Sequence, residues 1–130
     1  MEEGCKVTFR MLAGLYAIVR LPADSAVPDW TSRGEFTSVT RTPEELSIVC
    51  SIGNLPPEGT SSHHWTSLKL QGPFPFSMTG VLLSFIEPLS RNRIPIFAIS
   101  TFDTDYVLIQ EDHVSAGLDL LRAAGHEMAA

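Results

Sequence analysis

The chain has little of what marks most specialised proteins. It carries two cysteines in 130 residues, Cys5 and Cys50, and they form no C-x-x-C pair. Two such thiols make neither a disulfide framework nor a structural zinc site. Basic residues are scarce, nine Lys and Arg against fifteen Asp and Glu, for a net charge of −6. They never form a run, and Arg91 and Arg93 are the closest pair. Nucleic acid and anionic membrane both need a concentrated basic face, so neither is an expected partner. The apolar run Met11–Val19 contains Gly14 and is too short to span a bilayer. The start, Met1-Glu2-Glu3-Gly4-Cys5-Lys6, is the reverse of a signal peptide's basic region. A soluble, reduced, cytoplasmic protein is the simplest expectation. G-x-S-x-G, the P-loop and G-x-G-x-x-G are also missing, and no Ser and His are singled out as partners. His63-His64 are adjacent, a poor geometry for one ion, and read as polar loop. No catalytic residue, metal or cofactor is expected.

What the chain does have is a resemblance to itself. Sliding Ser38–Cys50 (SVTRTPEELSIVC) forward by sixty positions lays it without a gap on Ala98–Gln110 (AISTFDTDYVLIQ). Both stretches read as apolar run, polar turn, apolar run, which is the signature of a β-hairpin. A period near sixty is too long for a solenoid unit and suits a small α+β module. With 44% hydrophobic residues the chain can bury one core, or two half-sized cores. The expected division is therefore a degenerate first module over residues 1–60 and a second over 61–130.

Along the chain, Phe9–Leu21 is β-rich and closed by Pro22, and Pro22–Arg33 predicts a short helix or irregular crossover. Phe36–Thr42 and Leu46–Ile52 form the first hairpin, and the Gly-, Pro- and Ser-rich stretch Gly53–His64 is a loop. Trp65–Leu70 predicts a strand. A helix follows, with Ser77 as its N-cap and Met78, Leu82, Phe85 and Leu89 at helical spacing. Pro88 inside that pattern predicts a kink or an early end. Ile94–Ser100 and Tyr106–Gln110 are strands, the former so apolar that it predicts a central position in the sheet. Val114, Leu118 and Leu121 mark a last helix, with Gly125 as its C-cap.

Strand, helix, strand, strand, helix is the order of the split-βαβ, ferredoxin-like group. Gly72–Gly80 (GPFPFSMTG), Ile94–Leu108 (IPIFAISTFDTDYVL) and Ala123–His126 (AAGH) resemble the small bacterial proteins built from two tandem ACT modules. That family is similar to the regulatory ends of aspartate kinases and to the ACT-repeat arginine sensors of animal cells. The resemblance implies an α+β, ferredoxin-like fold made of two βαββαβ modules. It also implies a non-catalytic regulatory protein that binds a small amino-acid-like ligand where modules meet, and that forms a homodimer.

The resemblance places a ligand at Phe76, Ser77, Met78, Thr79 and Gly80. A helix N-terminus there offers free amides and partial positive charge to a carboxylate. The same segment also reads as a capped helix start that binds nothing. Ser100, Thr101, Phe102, Asp103, Thr104 and Asp105 offer hydroxyls, an aromatic and two acids, which suit an ammonium or a basic side chain. Asp and Thr are equally what tight turns use on their own backbone. A second candidate site covers Thr40, Arg41 and Thr42, where Arg41 suits a ligand carboxylate or a partner's Glu. The rival class is a small ferredoxin-like α+β barrel enzyme, an isomerase or lyase with Asp103 or His113 as its acid–base residue. A scaffold that has lost its ligand is the third reading.

Overall fold

The computed structural model describes residues 5–56, 63–72 and 80–129. In chain order the elements are β1 (Thr8–Met11), β2 (Tyr16–Leu21), a 3₁₀ turn at Asp29–Ser32, β3 (Ser38–Arg41), β4 (Leu46–Ser51) and a 3₁₀ turn at Ile52–Asn54. Then follow β5 (Trp65–Leu70), α1 (Val81–Arg91), β6 (Ile96–Ser100), β7 (Asp105–Gln110), a 3₁₀ turn at Glu111–His113, α2 (Val114–Ala123) and β8 (Glu127–Met128). The chain divides into two compact units, Met1–Leu12 with Thr66–Ala130, and Ala13–Trp65. The N-terminal strand, counted with the first half in the expected division at residue 60, belongs to the larger unit.

The larger unit is a βαββαβ frame with one addition. Its strands run β6–β7–β5–β1–β8. β1 lies antiparallel to β5, with Phe9 opposite Leu70 and Met11 opposite Leu68. β8 runs parallel to β1, with Phe9 opposite Met128. The first strand of the chain thus enters between β5 and β8 in a ferredoxin-like α+β arrangement. The helices cover one sheet face. Phe9, Leu68, Leu70, Val107 and Ile109 pack there with Val81, Phe85 and Leu89 of α1 and Leu121 of α2. Phe85 is fully buried and meets Phe9 edge to face at 5.1 Å. Truncating such a ring to alanine costs on the order of 3–5 kcal/mol. α2 comes close because residue 117 is glycine: a Cβ there would stand 3.2 Å from Ile109 Cδ1.

The smaller unit is a three-stranded antiparallel sheet ordered β3–β4–β2. Leu46, Ile48 and Cys50 form its core with Val19, Leu21, Trp30 and Leu55 against them. Tyr16 and Phe36 stack edge to face at 5.9 Å. The crossover before β3 takes the irregular form, a single 3₁₀ turn after Pro28, and no α-helix occurs among the described residues of this unit.

Some expectations need correction or refinement. The β-rich stretch Phe9–Leu21 holds the end of β1 and all of β2, divided where Gly14 takes a φ of +76° that β structure does not allow. Among the described strands β6 pairs with β7 alone, at an edge of the sheet and not at its centre. Its apolar residues Ile96, Phe97 and Ile99 are half-buried and Ala98 is exposed, whereas β7 carries the fully buried run Val107–Ile109. α1 has Gly80, at φ +80°, in the N-cap position instead of Ser77, so its free amides begin at Val81. Of the two outcomes expected at Pro88, the early end does not occur; the helix runs on to Arg91.

The sixty-residue self-match is also off by one. Thr42 N–H donates to the Glu45 carbonyl at 2.9 Å to close the first hairpin, and Thr101 N–H donates to the Thr104 carbonyl at 2.8 Å to close the second. Ile48, Val49 and Cys50 are buried in β4 as Val107, Leu108 and Ile109 are in β7. Both hairpins then run into a 3₁₀ turn, Ile52–Asn54 and Glu111–His113. All these pairs stand 59 positions apart. Three consecutive buried apolar residues show no alternation, so hydrophobic pattern alone does not set the register and the turn threonine does.

Candidate functional site

The second hairpin turn is built by threonines. Thr101 Oγ1 donates to the Thr104 carbonyl at 3.1 Å and accepts from Thr104 N–H at 3.2 Å. Thr104 is buried, and its hydroxyl donates to the Leu70 carbonyl at 2.7 Å, which ties the turn to the end of β5. Ser100 Oγ donates to Asp105 Oδ1, so that carboxylate is engaged inside the hairpin. Phe102 stands at the tip, 79% exposed.

Beside this turn lies a half-open cavity of about 270 Å³, lined by Lys69, Gly72, Thr101, Asp103, Thr104 and Tyr106. That volume sits at the small end of ligand pockets, which run from about 300 Å³ upward. Lys69 Nζ lies 5.9 Å from the centre of the Tyr106 ring, within cation–π range. The cavity wall therefore carries one ammonium, one carboxylate, hydroxyl groups and an aromatic.

Of the six residues expected from Ser100 to Asp105, the structure brings Thr101, Asp103 and Thr104 to the cavity. Ser100, Phe102 and Asp105 are not in its wall. Phe76, Ser77, Met78 and Thr79 lie outside the described residues. A Cβ built on Gly80 would meet nothing within 4 Å, so its backbone angle, not close approach, is what calls for glycine. In the first hairpin, Thr40 is exposed opposite Ser47, and Arg41 Nη1 donates to the Ala23 carbonyl. Thr42 Oγ1 accepts from Glu44 and Glu45 N–H, both at 3.2 Å. Lys69 and Tyr106 were not expected. One signal was available: β2 and β5 read Tyr-Ala-Ile-Val-Arg-Leu and Trp-Thr-Ser-Leu-Lys-Leu, aromatic first, cation fifth, leucine last.

Among the described residues no group of three His, Cys, Asp or Glu is placed to hold a metal ion. No helix among them is long and apolar enough to cross a membrane.

Comparison with known proteins agrees with this architecture. The family model described as ACT domain matches residues 60–123, and a second model, for an N-terminal domain, matches residues 14–58. The crystal structure of protein Atu0741 from Agobacterium tumefaciens is 44% identical with a TM-score of 0.90, over 96% of this chain and 93% of that one. A protein of unknown function from Vibrio cholerae, VC0802, shares the fold at 21% identity and a TM-score of 0.75, over 96% of this chain and 91% of that one. The human cytosolic arginine sensor for mTORC1 subunit 1 is 26% identical over 106 aligned positions, covering 69% of this chain and 31% of the sensor. The chain thus spans about a third of the length of that relative. The chain is an ACT-domain protein.

Proposed function

We propose that this protein is a regulatory module that binds a small zwitterion, an amino acid or a close analogue, in the cavity beside the Thr101–Thr104 turn. The observation that carries the reading is the pairing of Lys69 and Asp103 on one small cavity wall of an ACT unit. A carboxylate suits the Lys69 ammonium, and an α-ammonium or basic side chain suits Asp103 with the turn's carbonyls. Tyr106 offers its ring to an aliphatic or cationic tail. The human relative is by name an arginine sensor, which makes L-arginine the first ligand to try. His113, the other acid–base candidate of the enzyme reading, is not in the cavity wall.

The matching hairpins and the β2/β5 pattern support a further reading, that the chain is a tandem duplication whose first copy kept its strands and shed its helices. In the described sheets β3 and β6 are edge strands, each with one strand neighbour. Exposed edges favour pairing with another chain, so the functional form is a homodimer.

A thermal-shift screen of the twenty amino acids at millimolar concentration tests the ligand. Binding at a hundred times Kd should stabilise by about 2.7 kcal/mol. If none raises the melting temperature, the amino-acid reading fails.

A further inference from the structure

The two hairpins differ in what stands against their turns. In the first, Arg20 on β2 sits opposite Ser47, and its Nη2 donates to the Glu44 carbonyl at 2.8 Å, with Nε 4.0 Å from Glu45 Oε1. In the second, Lys69 holds the matching place on β5, but its ammonium lies over the ring of Tyr106, the residue in the place of Ser47. Asp103, which matches Glu44, faces the cavity instead.

We propose that Arg20 is a resident stand-in for a ligand: its guanidinium occupies, on the first turn, the place that a small organic cation takes on the second. The chain then has one open site, not two. Arg20 and Glu45 are 66% and 42% exposed, and ion pairs that open to solvent contribute little to stability. Occupancy, not stabilisation, is the consequence of the contact. The first turn also shows the chemistry such a turn holds, a planar cation on the carbonyl of its third residue. That carbonyl is Glu44 in the first turn and Asp103 in the second. This rests on the cavity reading above for the second turn, and not at all for the first.

The first arm of the test needs no ligand. Nitrogen-edited NMR of the Arg20 side chain should show slow guanidinium rotation and slow N–H exchange, and Arg20→Ala should speed amide exchange at the Thr42–Glu45 turn. Arg20 signals as fast as those of the exposed Arg33 overturn the proposal, whatever the cavity binds. The second arm titrates L-arginine to about 10 mM, well above a 1 mM Kd. Wild type should shift only at Thr101–Tyr106, and Arg20→Ala at Thr42–Ser47 as well. Shifts at both turns in wild type overturn it, as does a silent first turn in Arg20→Ala while the second responds. Silence at both turns in both proteins counts against L-arginine in the cavity, and the first arm then decides alone.

Discussion

His126 Nε2 donates to the carbonyl oxygen of Ser84 at 3.0 Å, and this is the carbonyl that Pro88 leaves without its helical partner. Residue 88 would bond back to residue 84 in an uninterrupted helix, and proline has no N–H to do so. On its other side the ring accepts from Val7 N–H through Nδ1, also at 3.0 Å. These partners fix the tautomer, with the proton on Nε2. A buried imidazole thus joins α1 to the segment before β1 and makes good the defect that proline introduces.

His126→Phe keeps a ring near Phe85 but leaves Val7 N–H and the Ser84 carbonyl unpaired. The expected cost is about 2–4 kcal/mol by chemical denaturation. Pro88→Ala returns an N–H to the Ser84 carbonyl, so in that background His126→Phe should cost about 1 kcal/mol less. Strict additivity of the two changes would show that the histidine does not serve that carbonyl.

Among the described residues Arg93 is the non-glycine residue with a positive φ, +63°, at the turn after α1. Its N–H donates to the Ser90 carbonyl at 3.1 Å and Ile94 N–H to the Leu89 carbonyl at 3.0 Å, a helix ending that favours glycine. Arg93→Gly should raise stability by about 0.5–1 kcal/mol. A lower melting temperature for the variant would mean that the arginine side chain contributes more than its backbone costs.

Cys50 is fully buried in β4, and burial pushes its thiol up from the ordinary range; Cys5 is partly exposed. The thiolate is the reactive form, so native protein should be labelled at Cys5 first, and at Cys50 only on unfolding. The folded state keeps a proton that the unfolded chain releases first. This group's share of stability is therefore present below the ordinary thiol range and falls as pH rises through it, a slope that Cys50→Ala should remove. Rapid labelling of Cys50 in native protein contradicts the burial.

Much of this fold could be read from the chain because its strands and helices are bounded by strong local signals. The Thr-Pro-Glu-Glu and Thr-Phe-Asp-Thr turns, the period of Phe85 and Leu89, and Pro22 each act within a few residues. The misreadings have longer reach. Whether Ile96–Ser100 is central or at an edge depends on which strands pair, and an apolar run looks the same in both places. The helix begins at Val81 with Gly80 at its N-cap, where the sequence pointed to Ser77. At the site, the turn residues Thr101, Asp103 and Thr104 announced themselves, while Lys69 did not. It lies on a strand thirty-odd residues earlier, and only the sheet brings it to Tyr106.

The cavity sets apart two acids that the sequence could not distinguish. Asp103 is in the wall, and Asp105 is held by Ser100 inside the hairpin. A charge-assisted contact to a ligand contributes about 1.5–3 kcal/mol, so Asp103→Asn should weaken binding roughly ten- to a hundred-fold. Lys69→Met, which keeps the apolar stem and removes the charge, should do the same if the ligand carboxylate sits there. Asp105→Asn should change affinity by less than about threefold, within the scatter of a surface substitution. Thr104→Val should lose the bond to Leu70 and lower stability by about 1–2 kcal/mol, with affinity falling only as the turn loosens. Calorimetry on these four variants, with whichever amino acid raises the melting temperature most, separates the roles. Wild-type affinity in both Asp103→Asn and Lys69→Met would place the ligand outside this cavity.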